Sequence, residues 1–168
     1  MEKYFGKYRG TVVNNIDPKM MGRLILMVPD VLDLVPTTWA EPCTPLAGPT
    51  GTPMGTFLVP PIGAAVWVEF EQGNPNYPIW VGCRWGGSSD VPPLALAGLP
   101  TSPNIVLQTM TQHAFVMSDG PMGIMLKSRS GAFIMINDTG IIIDNGVGAN
   151  ITMTANTVII NKGNLTVL

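Results

Sequence analysis

The sequence is short of charge. Asp, Glu, Lys and Arg make up only 12 % of its 168 residues, roughly half the share usual for a soluble globular domain. A lone monomer with so few charges would carry a poorly solvated surface, so much of that surface is expected to be covered by other chains. Positive charge is scarcer still, with nine Lys and Arg against eleven Asp and Glu and a pI near 5.2. That excludes a basic groove tracking a phosphate backbone, and no nucleic-acid partner is expected. Long apolar runs are missing too. Stretches such as Ile141–Ile143 and Gly63–Val68 fall far short of the ~20 residues that span a bilayer. Met1–Lys7 has no apolar core like that of a signal peptide, so assembly in a cytoplasm is expected.

Cysteine and histidine are nearly absent. Cys43 and Cys83 could pair, but in a leaderless chain they are expected as buried, reduced thiols. The single histidine, His113, leaves no zinc set, and neither a metal nor a cofactor is expected. Helix signals are also missing. Sixteen prolines and nineteen glycines interrupt nearly every stretch long enough for three helical turns.

What remains is strand. Apolar residues alternate at period two along most of the chain. In residues 1–90 the pattern predicts strands near Tyr4–Asn15, Gly22–Val28, Thr37–Cys43, Ala64–Glu71 and Ile79–Arg84, with a Pro- and Gly-rich connection over Thr44–Gly63. Five strands with one long connection suit a small closed barrel, which removes exposed edges. Trp67, Trp80 and Trp85 are expected to fill its core. Residues 91–104 contain Val91–Pro100, with three prolines and no alternation, and read as an extended apolar linker lying against protein.

Residues 105–168 repeat. Strands are predicted near His113–Ser118, Gly123–Ser128, Ala132–Asn137, Gly140–Asp144, Asn150–Thr154, Thr157–Asn161 and Asn164–Leu168. Turn pairs such as Asp119-Gly120, Ser130-Gly131 and Asn145-Gly146 separate them. One face is aliphatic and the other is Thr, Asn and Ser. The stretch holds only six charges: Asp119, Lys127, Arg129, Asp138, Asp144 and Lys162.

One chain cannot cover such a face. Three chains, each giving one strand per layer to a three-sided prism, would bury every aliphatic side chain on a shared axis. With strands ~4.7 Å apart, seven layers would stack to roughly 30–35 Å. The expected shared core is Ile124, Leu126, Ile134, Ile136, Ile141, Ile143, Ile151, Met153, Val158, Ile160, Leu165 and Val167. Met117, Met122, Met125, Met135 and Met153 are expected to fill gaps near the axis.

Several segments together resemble a known family. They are Gly10-Thr11-Val12, Asp17-Pro18, Gly22–Pro29, Trp39-Ala40 with Pro45, and above all Pro60–Gly82, with its Pro-x-x-Gly, alternating strand and Asn74-Pro75 to Pro78 turn. Ile124–Gly131 follows in the C-terminal part. In this order they resemble the baseplate assembly protein V and central-spike family of phage tails and type VI secretion systems. The resemblance implies an all-β chain: an oligonucleotide/oligosaccharide-binding (OB) fold barrel at 1–90, a linker at 91–104 and an intertwined trimeric β-helix at 105–168. It implies a homotrimeric structural spike in a virion tail baseplate. The barrel would dock on a hub protein below the tail tube, and a PAAR-like tip protein would sit at Asn164, Leu165, Thr166, Val167 and Leu168. Contact with the target membrane would be transient.

No enzyme is expected. Glu69 and Glu71 share one strand face, whereas glycoside cleavage needs two carboxylates across a cleft. His113 has no Gly-x-Ser-x-Gly turn to serve and is expected to be exposed or to line the axis. The alternative function is a barrel gripping oligosaccharide or single-stranded nucleic acid, which would need a basic or aromatic-lined groove.

Overall fold

The structure is a computed structural model. It describes residues 2–49 and 51–167, except the side chains of Thr166 and Val167. Two compact units divide the chain, residues 1–88 and 89–168.

The first unit is a curled five-stranded sheet. Its strands are β1 (Tyr8–Asn14), β2 (Ile25–Met27), β3 (Glu41–Pro42), β4 (Ala65–Phe70) and β5 (Pro78–Cys83), in the order β2-β1-β4-β5-β3. A single helical turn, α1 (Pro29–Leu32), follows β2. The pairing is antiparallel apart from β3 on β5. The residues before β3 return to β2 through bridges at Leu24–Ala40 and Met27–Pro36. The two edges of the sheet are thereby joined. Strict alternation explains the core. Val66, Val68 and Phe70 of β4 point inward beside Val12, Leu24, Leu26, Val28, Ala40 and Trp80, all of them buried.

Three sequence expectations need correction here. Trp80 does fill the core, its indole Nε1–H donating to the Gly22 carbonyl at 3.1 Å. Trp67 is only half-buried, and Trp85 is 63 % exposed. Trp67 alternates with Val66 and Val68 and so takes the outer side of β4; Trp85 lies beyond the end of β5. Cys43 and Cys83 are free and exposed, not buried. The long strand expected at Thr37–Cys43 is reduced to two residues, because residues 36–40 pair only through isolated bridges.

One ion pair anchors the β1–β2 turn. The Asp17 carboxylate accepts the backbone N–H groups of Lys19, Met21 and Arg23 at 2.9, 2.8 and 3.2 Å. It also accepts the Arg23 guanidinium, at 2.6 Å from Nη2. Both side chains are nearly inaccessible, and the guanidinium lies 5.3 Å from the Trp39 ring centroid. Arg23 first, and then the backbone donors, hold the Asp17 carboxyl far below the usual carboxylate range against the opposing effect of burial. A depressed folded-state value contributes stability that is full above the ordinary value near 3.8 and is lost as pH falls toward the folded value. Asp17→Asn should therefore lower the barrel's melting temperature at neutral pH and flatten its decline below about pH 4. Thermal melts of both proteins over a pH series check this.

The second unit begins with one helical turn, α2 (Pro93–Leu96), so residues 91–104 are not extended throughout. Eight strands follow: β6 (Ile105–Gln108), β7 (Ala114–Met117), β8 (Ile124–Lys127), β9 (Phe133–Asn137), β10 (Gly140–Asp144), β11 (Asn150–Thr154), β12 (Thr157–Ile160) and β13 (Leu165–Val167). Each pairs antiparallel with the next in one continuous meander. The sequence pattern missed β6. Ile105-Val106-Leu107 is apolar on both faces, so it shows no alternation.

Candidate functional site

The register of the meander organises its side chains into columns. Hairpins in register put residue i of one strand directly opposite residue j of the next, so side chains on one face line up across the sheet. On one face a column runs Ile105, Met117, Ile124, Ile136, Ile141, Met153, Val158. A second runs Leu107, Phe115, Leu126, Ile134, Ile143, Ile151, Ile160, Leu165. None of these fifteen side chains is polar. Ten of them are between 37 and 60 % exposed.

Eleven of the twelve residues expected at a shared core stand in these two columns. The twelfth, Val167, is the register partner of Val158, and its side chain lies outside the described residues. Sequence reasoning missed Ile105, Leu107 and Phe115 and expected Met117 near the axis; together the four extend both columns by two strands. The signal was available for Phe115 as well. The hairpin Met117–Ile124 carries the register back from β8 to Phe115 and Met117. Of the residues expected to seat a tip, Leu165 ends one column and Asn164 lies in the turn before it. Thr166 is known only by its register with Ile159, and Leu168 lies outside the described residues.

The opposite face differs from the expected Thr, Asn and Ser. Its central column runs Val106, Val116, Met125, Met135, Ile142, Thr152, Ile159. At its start, Ala114, Val116 and Met125 are buried, packed by Leu94 of α2, Val106, Met122 and Phe133. The face is apolar there because the segment before β6 lies on it and supplies Leu94. Met122, Met125 and Met135 thus belong to this side of the sheet, while Met117 and Met153 belong to the aliphatic columns.

Turn chemistry sets the register. After β9, the Asn137 Oδ1 accepts N–H groups from Thr139 and Gly140 at 3.0 and 3.2 Å and the Thr139 hydroxyl at 2.7 Å. Gly140 then lies so close to β11 that a Cβ would stand 2.0 Å from the Met153 carbonyl oxygen, at φ +147. Gly123 repeats this in the turn before β8, where a Cβ would stand 2.2 Å from the Ile136 oxygen.

Catalytic groups do not converge. His113 is exposed at the start of β7, its backbone N–H donating to Thr109 Oγ1. No group of three or more His, Cys, Asp or Glu stands together among the described residues. The barrel unit carries an open groove of about 700 Å³ between the 44–63 connection and β5, lined by Met20, Met21, Leu46, Met54, Phe57 and Val81 among others. Its lining holds no charged residue, so it lacks the cations that a phosphate backbone or acidic sugar requires.

Comparison with known proteins gives two matches. The model of the type VI secretion system/phage-baseplate injector OB domain matches residues 8–85. The model of the phage baseplate V C-terminal trimerisation domain matches residues 104–166. Together they cover most of the chain. No curated protein matches it.

Proposed function

The chain belongs to the phage baseplate V family of injector proteins, and on that footing we propose that its meander is one third of a rigid central needle. The family is structural, a baseplate spike component that trimerises, and it is not an enzyme family. One observation carries the finer reading. Two apolar columns run unbroken across the described strands of the meander, and ten of their fifteen side chains stay exposed in a single chain. Fully burying a Leu or Ile side chain is worth about 1.5–3 kcal/mol. Three such faces turned inward around one axis bury all of them with no partner but copies of the same chain. The trimer core is then the twelve expected residues extended by Ile105, Leu107, Phe115 and Met117.

The division of labour follows from the two units. The barrel, residues 1–90, holds the proximal end on a hub protein, residues 91–104 lead into the needle, and residues 105–168 form it. An uncharged, apolar groove suits packing against protein better than capture of sugar or nucleic acid. At the far end β13 pairs on one side only among the described residues, so Asn164–Val167 offer backbone groups and Leu165 its side chain to a tip protein, a seat that Leu168 would extend. Sheath contraction supplies the force, and the hydrogen-bonded prism supplies stiffness. The spike is assembled in the host cytoplasm and carried in the tail baseplate.

Particles assembled with a chain lacking residues 105–168 test this. Electron microscopy should show baseplates without a central needle, and penetration of the target envelope should fail. Particles with normal needle density and full activity would overturn the proposal.

A further inference from the structure

The hairpin turns of the meander fall alternately on two edges of the sheet, and the edges differ in charge. One edge holds the turns after β6, β8, β10 and β12, with Arg129 and Lys162 in them and Lys127 and Asp144 just before them. Of these, Asp144 is engaged locally, accepting the Gly146 N–H at 2.6 Å. The other edge holds the turns after β7, β9 and β11. Its charged residues are Asp119 and Asp138, with no cation. Arg129, Asp119 and Asp138 are all exposed; the Asp119 carboxylate accepts the Ser102 hydroxyl, and no ion pair joins the three within the chain among the described residues. They cannot reach one another there. A strand of four residues separates the two edges by ~13 Å.

In a closed three-fold ring every contact is heterologous, so one edge of each sheet meets the opposite edge of the next at all three corners. The layers are level around the axis. The β8–β9 turn of one protomer therefore stands halfway between its neighbour's β7–β8 and β9–β10 turns, ~4.8 Å from each along the axis. That is within reach of an extended arginine side chain. We infer that Arg129 of each protomer inserts between the neighbouring protomer's Asp119 and Asp138, so that a cationic edge meets an anionic one at every corner. This rests on the trimeric needle proposed above. It adds a specificity that the aliphatic columns lack, because they are equally greasy at every level. Sliding one chain by two layers, the spacing of successive turns on one edge, would leave the arginine between one aspartate and a neutral turn such as Ala155-Asn156.

The test mixes two charge-reversed chains. One carries Arg129→Asp, and the other carries Asp119→Arg and Asp138→Arg. Homotrimers of either have three mismatched corners, whereas mixed trimers have one. Co-expressed with different tags and weighed by native mass spectrometry, the two should give mixed over unmixed trimers in roughly tenfold excess over random assortment. A random distribution of trimers would overturn the inference while leaving the trimer itself intact. A monomeric wild-type chain would instead overturn the spike. A third chain carrying all three substitutions swaps the edges and should trimerise and melt like the wild type. If it melts as low as Arg129→Asp alone, or if neither it nor the mixture yields trimers, the corner contact is wrong.

Discussion

Ile143→Asp should dissolve the trimer into monomers. Ile143 lies mid-column between Ile134 and Ile151, its register partners on β9 and β11. In a three-fold prism the substitution brings three carboxylates to one level of a dry axis. An ion taken from water into such a site costs several kcal/mol even after the protein relaxes. The cost is met three times per assembly, together with like-charge repulsion. Chains that stay apart keep the carboxylate in water. The control is Thr152→Asp, one residue along the next strand but on the other face. It should leave the mass of the assembly unchanged. Light scattering on both variants checks the contrast, and a trimeric Ile143→Asp protein would place the axis on the wrong face.

Gly140→Val should be nearly as damaging, for a backbone reason. Its Cβ would overlap the Met153 carbonyl oxygen at 2.0 Å, and its φ of +147 is one that a β-branched residue does not adopt. Neither conflict is relieved by a side-chain rotation, so β10 and β11 must part. We expect a loss on the order of 3–5 kcal/mol per chain, seen as a large drop in the melting temperature of the needle. Gly120→Ala, where the nearest atom to a new Cβ is the Ser118 hydroxyl at 3.4 Å, should be tolerated.

These two positions show what the sequence made legible. Ile143 could be assigned to the aliphatic face because the turn pairs fixed where each strand began and alternation is strict in the strands that follow, although Ile141-Ile142-Ile143 is itself apolar on both faces. The same logic failed where a strand is apolar on both faces. Ile105–Gln108 was missed for that reason, and the buried side of β7 and β8 was expected to be polar. Amphipathic alternation reports one covered face and goes silent when a second element, here Leu94 of α2, covers the other. Gly140 was visible only as a glycine. Its closeness to Met153 depends on how tightly two hairpins stack, which no local pattern records. In the barrel, the Asp17-Pro18 turn was legible as a turn, but the burial of Asp17 with Arg23 under Trp39 was not. Trp85 was expected inside because tryptophans usually pack, yet it falls past the end of β5 and is largely exposed. The opposed charges of the two hairpin edges emerged only once the register had sorted the turns.

The central claim is that the exposed columns are the seam of a three-chain prism. The mass of the purified wild-type chain in solution, by light scattering, tests it most directly. A three-chain prism gives about three times the 17.9 kDa of one chain, unchanged on dilution. A stable monomer of 17.9 kDa would contradict it.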